Sequence, residues 1–176
     1  YGNQGRAQAL NLRDSGVNIV VGLRDDSPSI SKVSEDGLDC LEISEAVMKS
    51  DIISILIPDQ IMADVYEQKI SRYLKPGKVL LFSHGYNITY KEIIPPHFVD
   101  VAMVAPSGPG YAVRQEYKKG RGVPTLVAVN QNIIFTDTDI SGTGIIVSTG
   151  KITLKQNSTV GGGITLIANE IELNNC

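Results

Sequence analysis

Five short apolar runs recur through the first 130 residues, and they constrain the fold more than any other feature. They are rich in β-branched and aliphatic residues, and polar or glycine-containing stretches bound them. Near-continuous runs of this kind are typical of strands buried on both faces of a parallel sheet. The predicted strands are residues 18–23, 51–57, 78–83, 100–105 and 125–129.

Helical patterns lie between the predicted strands. Residues 5–13 form a segment of small residues that Gly16 can end as a C′ residue. Apolar residues recur at helical spacing from Ile61 to Tyr73, preceded by Pro58 and the N-cap candidate Asp59. Alternation of strands and helices predicts an α/β fold with a doubly wound, Rossmann-type parallel sheet.

The composition changes after Gln131, where charged residues become fewer and Gly, Thr, Ser and Asn more frequent. The chain repeats itself there at an offset of 19 residues: Gly144–Val147 matches Gly163–Leu166, and Ile152–Leu154 matches Ile171–Leu173. A fixed period with alternating apolar residues predicts turns of a β-solenoid. A pair of ordinary antiparallel hairpins is the alternative.

The sequence therefore divides into a Rossmann-type domain at 1–130 and a short all-β, solenoid-like tail at 131–176. The net charge of −3 and pI near 5.4 argue against a nucleic-acid or membrane-surface binder. No apolar run approaches the ~18–20 residues of a membrane helix, and no signal peptide opens the sequence. Cys40 and Cys176 form no disulfide framework, so we expect two reduced thiols in a cytoplasmic protein.

The sequence opens with the glycine-rich string Tyr1-Gly2-Asn3-Gln4-Gly5. A glycine ahead of Tyr1 would complete a G-x-G-x-x-G dinucleotide loop, in which a helix N-terminus faces the pyrophosphate. The strand and glycine that normally lead into such a loop are not in the sequence, so we expect an incomplete sheet without its first strand. A plain glycine turn is the alternative.

A polar loop follows the first predicted strand. The residue about 20 positions past the glycines of such a loop contacts the adenosine ribose, and an acidic residue there favours NAD. Arg24 occupies this position, followed by Ser27 and Ser29, and a guanidinium with two hydroxyls suits the 2′-phosphate of NADP. Asp25 and Asp26 oppose this assignment if they point inward, and a solvated loop without a ligand is the alternative.

Two further candidates follow predicted strands, at the sheet edge where sites of this fold gather. His84 follows the third strand and is either an active-site group or a structural histidine. His97, beside Pro95 and Pro96, is expected in a surface loop. The string Ala105-Pro106-Ser107-Gly108-Pro109-Gly110 follows the fourth strand, and its glycines allow close approach of a ligand to the backbone. A rigid turn is the alternative for that loop.

Several strings, in this order along the chain, resemble ketol-acid reductoisomerase of the short bacterial type. The resemblance covers nearly all of residues 1–130, whereas the tail resembles a β-helix repeat. The strings are Tyr1-Gly2-Asn3-Gln4-Gly5-Arg6-Ala7, Val21-Gly22-Leu23-Arg24, Leu56-Ile57-Pro58-Asp59-Gln60, Ser83-His84-Gly85-Tyr86-Asn87, Val104-Ala105-Pro106-Ser107-Gly108-Pro109-Gly110 and Gly120-Arg121-Gly122-Val123-Pro124.

The resemblance implies an oxidoreductase of valine and isoleucine biosynthesis, a homo-oligomer in its complete form. Its substrates are 2-acetolactate, which becomes 2,3-dihydroxy-isovalerate, and 2-aceto-2-hydroxybutanoate. Mg²⁺ assists an alkyl migration, and NADPH then delivers a hydride. The resemblance assigns His84 as the active-site histidine. It assigns the cofactor to Tyr1, Gly2, Asn3, Gln4, Arg24, Ser27, Ser29, Asp59, Gln60, Ile61, Met62 and Gly110.

The family's Mg²⁺ ligands are Asp and Glu residues of a helical C-terminal domain, and the repeat tail stands in the place of that domain. Asp137 and Asp139 match no family motif, so we assign no metal ligand. The sequence thus predicts the NADPH-binding part of the enzyme, inactive alone. Two alternatives are a structural or surface β-solenoid chain, and an artefactual fusion of two segments without a single role.

Overall fold

The fold is seen in a computed structural model, which describes residues 1–130, 133–136, 139–140, 144–155, 158–161 and 164–174. The helices are α1 (Asn3–Asp14), α2 (Ile30–Glu35), α3 (Ile43–Lys49), α4 (Asp59–Val65), α5 (Tyr86–Thr89) and α6 (Gly110–Lys118). The strands before residue 131 are β1 (Val20–Leu23), β2 (Asp39–Glu42), β3 (Ile52–Ile55), β4 (Val79–Phe82), β5 (Asp100–Pro106) and β6 (Thr125–Val129). Those after it are β7 (Ile133–Thr136), β8 (Asp139–Ile140), β9 (Gly144–Ser148), β10 (Lys151–Lys155), β11 (Thr159–Val160), β12 (Ile164–Ile167) and β13 (Glu170–Asn174).

A six-stranded sheet in the order β12-β9-β6-β5-β4-β3 forms the centre of the molecule. Strands β3, β4 and β5 are parallel, with Ile55 opposite Phe82 and Phe82 opposite Met103. This confirms the predicted α/β fold with a Rossmann-type parallel sheet. The expectation that all five predicted strands run parallel is wrong for β6, which pairs antiparallel with β5. An apolar run indicates burial but carries no information on strand direction.

A second, two-stranded sheet consists of β1 and β2, which are parallel. Among the described strands, β1 pairs with β2 alone and β3 with β4 alone, so each leaves one edge without a partner. Ile52 on the edge strand β3 is 60% exposed. The expectation of a sheet that lacks its first strand stays a prediction.

Among the described residues before 131, the buried apolar side chains form two clusters. The larger part contains Ile53 and Ile55 of β3, Leu80 and Phe82 of β4, and the inward face of the helical segment after Pro58. The smaller part, formed by Leu10, Val33 and Leu38, joins α1 and α2 to the two-stranded sheet. The smaller cluster thus fixes α1 against α2 and the two-stranded sheet.

Helix α1 agrees with its predicted extent and ends as the sequence indicates. Gly16 adopts a φ of 82°, and its amide donates to the Arg13 carbonyl 2.9 Å away. Since only glycine adopts such a φ without strain, Gly16 ends the helix as the expected C′ residue.

The helical segment predicted from Ile61 to Tyr73 is present but irregular. After α4 the chain continues as a π-helical turn (Tyr66–Ile70) and a 3-10 turn (Ser71–Tyr73). The expected N-cap Asp59 is wrong by one position, because Pro58 is the N-cap and Asp59 begins the helix. Within the described residues, no helix is long and apolar enough to span a membrane.

All pairings among the described strands after Asn130 are parallel. Ile152 of β10 lies opposite both Ile133 and Ile171, at the predicted offset of 19 residues. Consecutive strands β9 and β10 belong to different sheets, so the antiparallel hairpins are wrong for these strands. Strands β9 and β12 pair at an offset of 20 residues instead, with Ile145 opposite Thr165.

The solenoid itself stays a prediction, because its closure depends on connections that include undescribed residues. Asp137, Gly163 and Cys176 lie outside the described residues. The boundary at residue 130 also stays a prediction, since β6 pairs with β5 on one side and with β9 on the other.

Candidate functional site

The N-terminal end of α1 lies beside the carboxyl ends of β4 and β5. The Gln4 side-chain amide donates to the carbonyl of Gly108, just past β5, at 2.8 Å. One turn later, the Gln8 amide donates to the Ser83 hydroxyl at 3.2 Å, and this hydroxyl donates to the Val104 carbonyl at 2.9 Å. These contacts hold the start of α1 at the sheet edge where ligands of α/β folds bind.

The start of α1 has the features of an anion-binding helix N-terminus. Gly2 is the N-cap, and no side chain of the described residues caps it. The first turn contains no carboxylate, and Cβ atoms added at Gly2 or Gly5 would meet no described atom within 4 Å. Backbone amides without a side-chain cap and the positive end of the helix dipole fit a phosphate group.

Gly110 is buried where α6 meets α1. A Cβ atom at this position would overlap the backbone carbonyl of Asn3 and lie 3.1 Å from the Gln4 nitrogen. The glycine therefore permits the close approach of the two helices. Arg114 of α6 also donates a hydrogen bond to Asn11 of α1 at 2.9 Å, which stabilises this contact between the helices. The contact of Gly110 with a cofactor stays a prediction.

The loops after β3 and β4 bring Asp59 and His84 together. His84 Nδ1 lies 2.9 Å from Asp59 Oδ2, and the Asn87 amide donates to Asp59 Oδ1 at 3.2 Å. Of the other residues predicted to contact the cofactor here, Gln60 and Ile61 are exposed, whereas the Met62 side chain is buried and touches Asn87. The partnership of Asp59 and His84 cannot be seen from sequence spacing, because 25 positions separate them.

Arg24, Ser27 and Ser29 lie together in a turn that follows β1. The Ser27 amide donates to the Arg24 carbonyl at 3.0 Å, and the Ser29 amide donates to the Ser27 hydroxyl at 3.3 Å. Arg24 is largely exposed, with its Nε 3.7 Å from Asp26 Oδ1. The guanidinium is therefore free to move, and an acidic neighbour competes for it.

A solvent-open groove of about 340 Å³ adjoins this turn. It combines the Arg24 cation with three carboxylates, and the half-buried Cys40 thiol also lines it. Burial raises the pKa of this thiol, which favours its neutral form. The lining residues are Leu23, Arg24, Asp25, Ile30, Cys40, Leu41, Glu42 and Glu45.

Asp36, directly after α2, joins the N-terminal residues of the chain to α2 through hydrogen bonds. Its carboxylate accepts from Arg6 Nε at 2.7 Å and from the Tyr1 hydroxyl at 3.0 Å. The Arg6 hydrogen bond lowers the pKa of Asp36, whereas burial and Asp36 raise the pKa of Tyr1 to about 12. The Tyr1 side chain thus has a structural partner, and only its backbone is left for the predicted phosphate contact.

The family model described as "Acetohydroxy acid isomeroreductase, NADPH-binding domain" matches residues 1–150. The chain belongs to the ketol-acid reductoisomerase family. A solved structure of an NADH-preferring ketol-acid reductoisomerase from an uncultured archean is 50% identical, with a TM-score of 0.72. The match covers 75% of this chain and 41% of that one, so this chain spans less than half the length of that enzyme.

More distant structures share the fold alone. A semialdehyde dehydrogenase NAD-binding protein from Cupriavidus necator is 19% identical, with a TM-score of 0.61 over 74% of this chain and 50% of that one. An imine reductase from Myxococcus stipitatus is 20% identical, with a TM-score of 0.54 over 72% of this chain and 43% of that one. Both likenesses support the Rossmann-type architecture.

Family membership confirms the resemblance that the opening strings predicted. The chain contains the NAD(P)H-binding domain of a ketol-acid reductoisomerase, an oxidoreductase family. The likeness of the tail to a β-helix is not confirmed. Sequence reasoning missed the roles of Gln8 and Asn87, which act through contacts to residues 75 and 28 positions away.

Proposed function

We propose that the chain is the NADPH-binding part of an enzyme that acts on 2-acetolactate and 2-aceto-2-hydroxybutanoate in branched-chain amino-acid synthesis. The observation that carries the proposal is the uncapped N-terminus of α1, held at the carboxyl ends of β4 and β5 in a chain of this family. The backbone from Tyr1 to Gln4 would bind the pyrophosphate. A reduced nicotinamide, when bound, supplies a hydride.

His84 is proposed as the group that exchanges a proton with the substrate oxygen. Its side chain is 67% exposed at the carboxyl end of β4, so a substrate can reach it from solvent. General acid–base catalysis of this kind contributes about 10²–10⁴-fold.

Magnesium does not fit the described part of the chain. No group of three His, Cys, Asp or Glu residues there is close enough to hold a metal ion. Hard cations of this kind need clustered carboxylate oxygens. We therefore propose that the chain binds cofactor without completing the reaction.

We further propose that Arg24 selects NADPH by pairing with the 2′-phosphate, with Ser27 and Ser29 donating to it. Two observations favour NADH instead: Arg24 already lies beside Asp26, and the 50% identical enzyme is NADH-preferring. Both observations oppose the pairing of Arg24 with the 2′-phosphate. A bidentate guanidinium–phosphate pair contributes more free energy than a surface ion pair at 3.7 Å. We therefore expect NADPH to bind more tightly than NADH.

Fluorescence titration of NADPH and NADH against the chain and its Arg24→Ala variant tests cofactor choice. A charge-assisted hydrogen bond contributes about 1.5–3 kcal/mol, so R24A should lose roughly tenfold or more in NADPH affinity and little in NADH affinity. Lys49→Ala, which removes an exposed cation elsewhere, should change neither. Equal affinities in the parent chain would contradict the role of Arg24, and absence of binding by both cofactors would contradict the proposed function.

A further inference from the structure

The side chains of Asp59, His84 and Asn87 form a hydrogen-bonded series between the start of α4 and the loop after β4. His84 Nδ1 lies 2.9 Å from Asp59 Oδ2. Asn87 Nδ2 lies 3.2 Å from Asp59 Oδ1 and 3.2 Å from the Asp59 carbonyl oxygen. Asn87 is 1% exposed, so the inner end of the series is fixed in the protein interior.

We propose that Asp59 is a positioning residue that holds His84 in the Nδ1–H tautomer, leaving Nε2 as the atom that exchanges protons. The catalytic consequence of this inference rests on the proposed function, whereas the tautomer does not.

The chemistry of the two partners determines the tautomer. An ionised carboxylate only accepts hydrogen bonds, so the imidazole nitrogen that faces it must carry the proton. In the neutral ring the opposite nitrogen, Nε2, then has a free lone pair. His84 can therefore accept a proton at Nε2 and, once protonated, donate it from the same atom.

Asn87 determines which oxygen of Asp59 remains for His84. Its side-chain amide faces two oxygens of Asp59, and only the NH₂ end of the amide is attracted to them. Asp59 Oδ1 is thereby occupied from the protein interior. Oδ2 is left to face the exposed imidazole, and the carboxylate cannot turn without losing the contact with Asn87.

This arrangement predicts an unusual result for Asp59→Asn. The new side chain has one oxygen and one NH₂ group in place of two oxygens. The Asn87 donor attracts the oxygen, so the NH₂ group of the variant faces His84 and needs an acceptor. His84 Nδ1 can accept only without its proton, and D59N should therefore invert the tautomer to Nε2–H.

Nitrogen-15 NMR of the histidine rings measures the tautomer directly. The chain has two histidines, and His97→Gln leaves His84 as the single labelled ring. We would record the spectra at about pH 9, above the ordinary titration range of histidine. In the His97→Gln background we expect Nδ1–H to exceed Nε2–H by about tenfold, as a charge-assisted hydrogen bond implies.

The added D59N substitution should reverse that preference. Asp64→Asn is the matched control, since it removes an exposed carboxylate from the same helix, and it should leave the preference unchanged. Asp59→Ala is a second variant in case D59N does not fold; it removes the acceptor without adding a donor, so the preference should fall several-fold. Predominance of Nε2–H with Asp59 present, or an unchanged tautomer in the Asp59 variants, would overturn the proposal.

Titration of the same samples with NADPH separates this inference from the proposed function. An Asp59-dependent Nδ1–H tautomer in a chain that binds no NADPH would support the positioning of His84 and refute the cofactor proposal. An Nε2–H tautomer in a chain that binds NADPH would do the opposite.

Discussion

At the scale of single residues, the side chains around the start of α1 and the end of β4 bond to partners from distant segments of the chain. Gly2 and Asp59 stand at the starts of α1 and α4, and His84 follows β4, so all three lie where an element begins or ends. The partner of each side chain could not be predicted, since it comes from a distant segment. Tyr1 illustrates the difference: its string suggested a phosphate contact, but its hydroxyl bonds to Asp36, 35 positions away.

The contact of Asp36 with Arg6 and Tyr1 makes part of the chain's stability dependent on pH. The pKa of Asp36 is lowered in the folded chain, so its contribution is complete above the unfolded value near 3.9 and is lost as the pH falls below it. Arg6 is 43% exposed, which reduces the contribution to about 1–2 kcal/mol. Asp36→Asn should therefore cost about that much at neutral pH and progressively less in acid.

Urea unfolding of both proteins near pH 7, 4 and 3 measures this difference. Asp64→Asn, which removes an exposed carboxylate, controls for the change in net charge. A free-energy difference between D36N and the parent that stays constant across the three pH values would refute the assigned role of Asp36.

At the scale of elements, long apolar runs were predictable and short polar elements were not. Strands β3 to β6 lie within or beside the predicted ranges because each consists mostly of apolar residues. Strand β2 was missed, since Asp39-Cys40-Leu41-Glu42 has two apolar residues between two carboxylates. Its strand conformation depends on pairing with β1, and a single sequence does not contain that information.

The packing of α6 on α1 depends on a single glycine. Gly110→Ala would place a methyl group against the Asn3 backbone, which cannot move aside as a side chain can. We expect a loss of about 1–3 kcal/mol in stability, as overpacking typically causes, together with weaker NADPH binding. Gly108→Ala is the matched control in the same loop, because its Cβ would meet Val123 and Ala112 at ordinary distances of 3.7 and 3.8 Å.

Thermal unfolding and NADPH titration of these two variants test the contact. Equal stabilities of G110A and G108A would show that α6 does not approach α1 as closely as the structure has it.

The free edges of β1 and β3 predict that the domain can accept one more parallel strand. A variant with an apolar, β-branched segment and a glycine ahead of Tyr1 should fill both edges and cover Ile52. We expect its Tm to rise by about 5 °C or more, and its aggregation to decrease. The same extension with alternating Gly and Ser is the control, and an equal effect of both extensions would contradict the expectation.

At the scale of the whole molecule, the family match extends past the predicted boundary at residue 130. It ends at residue 150, and β9 of the tail continues the sheet of the first part through β6. The change in composition predicted the change from α/β to all-β structure, but not that the two parts share one sheet. Strands pair through backbone N–H and C=O groups, which nearly all residue types carry. The composition of the sequence therefore could not reveal that β9 continues the sheet.

We expect no turnover of 2-acetolactate by the chain alone. Polarising the substrate oxygens is a Lewis-acid role worth several kcal/mol, and the described residues offer no cluster of ligands for the metal. Oxidation of NADPH in the presence of substrate and excess Mg²⁺ is the assay. Activity should appear once a helical domain with the family's acidic residues is added in cis or in trans. A metal-dependent rate from the chain alone would contradict this expectation.

The central claim is that a dinucleotide binds across the N-terminus of α1 and the loops after β1, β3, β4 and β5. The most direct measurement is a map of backbone amide shifts in two-dimensional NMR as NADPH is added to the chain. We expect saturable shifts concentrated at residues 2–6, 24–29, 58–62, 83–85 and 107–110, with strands β9 to β13 unaffected. Shifts confined to the tail, or an unchanged spectrum at residues 2–6, would contradict the claim.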